Sequence, residues 1–73
     1  MAVSSVLKIN GLEREFPSEG VPETLLDLLN ALGICHSTVV AEVNGRIIER
    51  QNFVNTRLEG GESIELVRFV GGG

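Results

Sequence analysis

The chain has 73 residues and a mass of 7.9 kDa, room for one domain with a thin core, since a chain this small buries roughly 60–65 % of the surface its unfolded form exposes. A hydrophobic content of 42 % excludes a disordered polypeptide, a single cysteine excludes an internal disulfide, and no apolar run approaches the ~20 residues of a membrane span. Ten acidic residues against six basic ones leave a net charge of −4, which argues against nucleic acid as the main partner.

The first segment, Met1 to Lys8, lacks the basic start and long apolar run of a secretory signal, so the expected location is the cytoplasm. Val3 to Ile9 reads as a strand with Ser5, Leu7 and Ile9 on one face and Val6 and Lys8 on the other. Asn10-Gly11 supplies the two positions tolerant of positive φ that a tight hairpin turn needs. The return strand, Leu12 to Phe16, places Leu12 and Phe16 on one side and Glu13 and Glu15 on the other. Pro17 to Pro22 is a loop by composition.

The period then changes. Leu25, Leu28, Leu29 and Leu32 stand at i, i+3, i+4 and i+7, the stripe of an amphipathic helix, with Leu26 at its edge. Thr24 is the expected N-cap, with Asp27 three residues on. Gly33 is the expected residue past the last turn, and Ile34 can fold back on the helix in a Schellman motif. Val39 to Val43 alternates again, with Val39, Ala41 and Val43 on one face. A second Asn-Gly, Asn44-Gly45, leads to a brief return at Ile47 and Ile48. Glu49 to Leu58 shows no sustained period. After the Gly60-Gly61 turn, Ser63 to Phe69 is the last strand, with Ile64, Leu66 and Arg68 alternating against Glu65, Val67 and Phe69.

Strands flanking one helix predict an α+β domain over residues 1–69, with a mixed sheet and the helix packed on one face. The β-grasp, or ubiquitin-like, arrangement has this order of elements and fits this length. With a single helix, the second face has no obvious cover. Leu7, Ile9, Val39, Ala41, Val43, Ile64 and Leu66 are expected to face the helix, leaving Val6, Val40, Val67 and Phe69 towards the open face, where exposed apolar clusters commonly mark protein contacts. Phe69 folded into the domain edge as core is the competing placement.

Little within the domain carries chemistry. Cys35 and His36 are adjacent, but neighbours on an extended chain point to opposite sides, and the sequence offers neither a third catalytic group nor enough ligands for a metal. The expectation is that Cys35 packs as a small hydrophobe and His36 sits in a solvated turn. The pairs Glu13 and Glu15, and Glu59 and Glu62, read as solvated charges, and Gly60-Gly61-Glu62 lacks the Lys and Ser/Thr of a phosphate loop.

Residues 70–73, Val70-Gly71-Gly72-Gly73, differ from the rest. Three glycines have no side chains to pack, so the expectation is a flexible tail that stays mobile until something holds it. Extended, four residues reach at most ~13–14 Å, enough to enter a neighbouring protein's active site while the folded body docks outside. The α-carboxylate is ionised at neutral pH, its reference pKa being ~3.3–3.7, and can attack an activated phosphate. The mixed anhydride so formed at Gly73 would accept a sulfur or nitrogen nucleophile.

The block Gly60-Gly61-Glu62-Ser63-Ile64-Glu65-Leu66-Val67-Arg68-Phe69-Val70-Gly71-Gly72-Gly73 resembles the end of the ThiS-type sulfur carriers of bacterial thiamine biosynthesis. Asn10-Gly11, the Leu-rich helix after Thr24, and Val43-Asn44-Gly45-Arg46-Ile47-Ile48 followed by Arg50 extend the likeness over nearly the whole chain. Glu62 stands where that family more usually has Asp, and the Pro17 to Pro22 loop is a little long. The resemblance implies a β-grasp carrier, monomeric on its own, that is not an enzyme and binds no cofactor. It implies a ThiF-type adenylyltransferase that uses ATP and Mg²⁺ to adenylate Gly73, and a sulfurtransferase that completes the conversion to a thiocarboxylate. A ThiG-type thiazole synthase then takes the sulfur. Gly72, Gly71 and Val70 are the expected tail residues, and Val67 and Phe69, on the open face nearest the tail, are the expected contacts with the adenylating partner. Three other readings stand beside this one: a sulfur carrier like the small subunit of molybdopterin synthase, a ubiquitin-like protein modifier, and an interaction module with an inert tail.

Overall fold

A computed structural model describes residues 4–17 and 20–68. The strands are β1 (Ser4–Ile9), β2 (Leu12–Pro17), β3 (Val39–Val43), β4 (Arg46–Ile48) and β5 (Ser63–Arg68), with one α-helix, α1 (Leu25–Ala31). The 3-10 helices His36–Thr38 and Arg50–Asn55 fill the connections on either side of the β3–β4 hairpin.

Both Asn-Gly pairs make the expected turns. Asn10 and Asn44 each adopt a φ of 52°, followed by Gly11 at 83° and Gly45 at 84°. Two-residue turns fix register, so β1 pairs with β2 from Ile9↔Leu12 outward and β3 with β4 from Val43↔Arg46 outward. The last strand joins the two hairpins: β5 lies between β1 and β3, parallel to the first and antiparallel to the second. The resulting order, β2-β1-β5-β3-β4, is the mixed sheet of the β-grasp fold expected from the pattern.

The helix signals act where the sequence places them. Thr24, in extended conformation, accepts the Asp27 N–H on its hydroxyl at 3.2 Å. At the other end Gly33 adopts a φ of 73°, its N–H donates to the Asn30 carbonyl at 3.1 Å, and the Ile34 N–H reaches back to the Leu29 carbonyl at 2.9 Å. That pair of bonds is the Schellman motif. Leu25, Leu28 and Leu29 are wholly buried against Leu7, Val39, Ala41 and Ile64 of the sheet.

Two core residues come from the segment without a period. Phe53, 2 % exposed, and Leu58, 6 % exposed, complete the core from the Arg50–Asn55 helix and the chain after it. A 3-10 turn and an irregular return bury one side chain each, so neither a period of 3.6 nor of 2 marks them.

Candidate functional site

The site residues expected from the sequence follow one another along the chain from Val67, near the end of β5. Gly73, Gly72, Gly71, Val70 and Phe69 lie outside the described residues, so the competing placements of Phe69 and the expected tail are not addressed by the fold. What the structure does describe is the strand that leads to them and the surface around it.

The faces of the sheet divide as the alternation predicts. Leu7, Ala41 and Ile64 are fully buried under α1, and Ile9, Val43 and Leu66 pack partly buried around them. On the open side, register places Val40 directly opposite Val67, and Glu42 directly opposite Glu65. Ile47 lies across from Glu42 on β4. Val67 and Ile47 are 60 % and 69 % exposed, while Val40 is half-buried.

The expected cluster of Val6, Val40 and Val67 is therefore split. Val40 and Val67 are neighbours, but β1 runs parallel to β5 with Ile9 beside Ile64, which puts Val6 level with Gly61. Six residues of strand, about 20 Å, separate that level from Val67. The patch beside the end of β5 consists of Val40, Val67 and Ile47, with Glu42 and Glu65 between them. Ile47 was legible in principle: a two-residue Asn-Gly turn that pairs Val43 with Arg46 must also pair Glu42 with Ile47.

β5 is tied down at its start by the preceding turn. The Glu62 carboxylate accepts the N–H groups of Glu59 and Gly60, both at 2.8 Å, and the Gly61 N–H donates to the Val6 carbonyl at 2.7 Å. Glu62 is thus half-buried and holds the turn, where the sequence suggested a solvated charge. The reason is local: a carboxylate just past a Gly-Gly turn can reach the N–H groups that the turn leaves unpaired.

Cys35 corrects a second expectation. It is exposed rather than packed as a hydrophobe, because the chain leaves the Schellman motif towards solvent and turns at once into the His36–Thr38 helix. Its Sγ lies 3.1 Å from Ser37 Oγ, and hydrogen bonding from the Ser37 side chain and backbone, helped by the charge of Arg50, lowers the thiol pKa from its ordinary value. His36 is exposed, as expected. Among the described residues no group of three His, Cys, Asp or Glu side chains is placed to hold a metal ion. No helix among them is long and apolar enough to cross a membrane.

Comparison with known proteins bears on residues 7–73, which match the model of a family described as the ThiS family. Among solved structures, the crystal structure of the thiamine biosynthesis protein ThiS from Geobacter metallireducens is 31 % identical, with a TM-score of 0.76 over 93 % of this chain and 99 % of that one. A solution structure of a thiamine biosynthesis protein from the same organism gives a TM-score of 0.74 at 31 % identity, over 93 % of this chain and 87 % of that one. A thiazole synthase of Paramagnetospirillum magneticum is 34 % identical over 67 residues, which are 92 % of this chain and 20 % of the relative. The chain therefore spans about one fifth of the length of that curated relative.

Proposed function

The chain belongs to the ThiS family, and from that premise we propose that it is a sulfur carrier of thiamine biosynthesis whose reacting atom is the carbonyl carbon of Gly73. The observation that carries the reading is the placement of β5. It is the middle strand of the sheet, it passes the exposed Val67 beside Val40, and its sequence continues as Phe69-Val70-Gly71-Gly72-Gly73.

The chemistry in this reading is that of the Gly73 carboxylate. The Gly73 carboxylate attacks the α-phosphorus of ATP in a ThiF-type adenylyltransferase, and the bond to pyrophosphate breaks. A Mg²⁺ ion in that partner balances the phosphate charge. Sulfur released at the sulfide level by a sulfurtransferase and a thiol reductant then attacks the acyl carbon as hydrosulfide, AMP leaves and the proton of the hydrosulfide passes to solvent, so that a C–S bond replaces the C–O bond. The thiocarboxylate is the donor to a ThiG-type thiazole synthase. The likeness to a thiazole synthase supports that partner, because a segment similar to this chain shares a polypeptide with it. In each step the chain is a substrate or a donor, and the catalytic groups belong to the partners.

The sheet face beside the tail is the docking surface in this reading. Val40, Val67 and Ile47 supply apolar area, and Glu42 and Glu65 favour a partner surface bearing arginine or lysine.

Intact mass spectrometry tests the proposal. Incubation with a ThiF-type enzyme, ATP, Mg²⁺ and sulfide should replace one oxygen of the chain by sulfur, and removal of Gly73 should abolish the change. An unchanged mass would overturn the carrier reading. A covalent conjugate through Gly73 to an amine would support the protein modifier instead. Transfer of the sulfur to a thiazole synthase, and not to a molybdopterin synthase, separates the two carrier pathways.

A further inference from the structure

The two hairpin asparagines do more than turn the chain. At a φ of 52°, Asn10 and Asn44 carry the backbone off the strand line into the turn. Neither residue's own carbonyl is then aligned to continue the ladder to β5, and in both cases the side-chain carbonyl takes that place. On the β1 side, the Lys8 N–H donates to the Glu62 carbonyl at 3.0 Å and the Asn10 N–H to the Ile64 carbonyl at 2.8 Å. The next N–H of β5 on that side belongs to Leu66, and it donates to Asn10 Oδ1 at 2.7 Å. On the β3 side, the Asn44 N–H donates to the Ser63 carbonyl at 2.7 Å, and the Ser63 N–H donates to Asn44 Oδ1 at 3.0 Å.

The two clamps differ in place. Asn44 holds the first residue of β5. Asn10 holds Leu66, near its end, at a point where the strand has run past β1: the β1–β5 register stops at Ile9↔Ile64, whereas β3 accompanies β5 as far as Val39↔Arg68. Among the described residues, the Asn10 side chain is therefore the last hydrogen-bonding hold on the β1 side of β5.

We infer that Asn10 is a positioning residue for the reactive end of the chain: its side-chain carbonyl fixes the line along which β5 leaves the sheet. The inference rests on the carrier reading above. A strand held on one side only is free to twist and splay about its remaining neighbour, so the point at which the chain leaves β5 shifts relative to the β3 side, where Val40 and Val67 remain paired. The acyl group must meet its phosphate at about 3–3.5 Å in the partner's site, where a misplacement of about 1 Å can cost on the order of a hundredfold in rate. Loss of this clamp therefore acts on turnover more than on docking.

Glycine separates the clamp from the turn, since Asn10→Gly accepts positive φ without strain but has no carbonyl to offer. Asn10→Asp keeps an acceptor oxygen and the tolerance for that conformation, and so is the conservative rescue. Asn44→Gly removes the matching bond at the far end of β5. The measurement is ATP-dependent pyrophosphate release by a ThiF-type enzyme, with hydrogen exchange of the Leu66 amide followed in parallel. Asn10→Gly should lower kcat about tenfold with KM changed less than about twofold, and should speed Leu66 exchange. Asn10→Asp and Asn44→Gly should stay within about twofold of the parent in kcat. Equal losses in the two glycine variants would make Asn10 merely structural and overturn the inference. So would parental turnover of Asn10→Gly, a change confined to KM, or a failure of Asn10→Asp to rescue. A parent chain that is not adenylated at all overturns the carrier reading, and this inference with it, whatever Leu66 exchange shows.

Discussion

Glu42 and Glu65 face each other directly across β3 and β5, on the side of the sheet away from α1. Like charges at a directly opposed pair are destabilising, and the pair stands one step along the strands from Val40 and Val67 on the same face. A locally unfavourable arrangement in the middle of a sheet is relieved when a cation is brought between the carboxylates. Glu65→Lys should therefore have two opposite effects. The isolated domain should gain about 0.2–1 kcal/mol in urea unfolding, as a like pair becomes an opposite one. Association with the adenylating partner should slow, and the difference from the parent should shrink as salt is raised in stopped-flow binding. A faster association would contradict a basic partner surface.

Apolar contact at the same surface makes a separate prediction. Val67→Asp places a charge on a side chain that is 60 % exposed, so the thermal midpoint should hardly move while partner affinity falls. Calorimetric titration against the partner checks the second part, and circular dichroism the first.

Phe53 is the largest of the fully buried side chains and lies in a 3-10 helix rather than in a strand or α1. Phe53→Ala should cost about 3–5 kcal/mol. A domain of this length has only about 4–11 kcal/mol in all, so the variant should be close to unfolded at 37 °C. Val54→Ala, one residue on and 55 % exposed, should stay within about 0.5 kcal/mol of the parent. Urea denaturation followed by circular dichroism compares the two.

Gly60 and Gly61 should differ although both have positive φ, at 102° and 85°. A Cβ on Gly60 would lie 3.0 Å from Ser5 Cβ, whereas one on Gly61 meets nothing within 4 Å. Gly61→Ala should cost about 1–2 kcal/mol from backbone conformation alone. Gly60→Ala should cost more, and Ser5→Gly in that background should recover the steric part. Equal losses in the two alanine variants would show that Ser5 gives way freely.

Cys35 should alkylate as a thiol more acidic than free cysteine. The Ser37 hydroxyl that bonds its sulfur favours the thiolate, so Ser37→Ala should move the pH midpoint of iodoacetamide reaction upward. The linkage has a defined sign. A folded-state pKa below the unfolded value contributes stability at pH above the unfolded pKa, and that contribution is lost as pH falls through the folded one. The parent should accordingly lose more stability than Ser37→Ala between mildly alkaline and neutral pH.

Much of the fold was legible because its signals are local. Asn-Gly turns set two registers by counting, the leucine spacing marked α1, and Thr24 and Gly33 marked its ends. The segment from Glu49 to Leu58 was not legible, since Phe53 and Leu58 owe their burial to where the rest of the chain places them. The candidate site divides in the same way. Alternation assigned Val67 and Val40 to the open face, but only the parallel register of β1 with β5 showed that Val6 lies at the other end of it.

The sequence by itself determined the elements, the faces of the strands and the glycine-ended segment from Val70 to Gly73, because each depends on residue type and spacing along the chain. The tertiary structure decided which strands are neighbours. Inserting β5 between β1 and β3 brings Glu65 to Glu42, Val67 to Val40, and the Leu66 amide to the side chain of Asn10, 56 residues earlier. Such meetings depend on register between strands distant in sequence, which no local pattern encodes. They turn two ordinary hairpin asparagines into the holds on the strand that leads to Gly73.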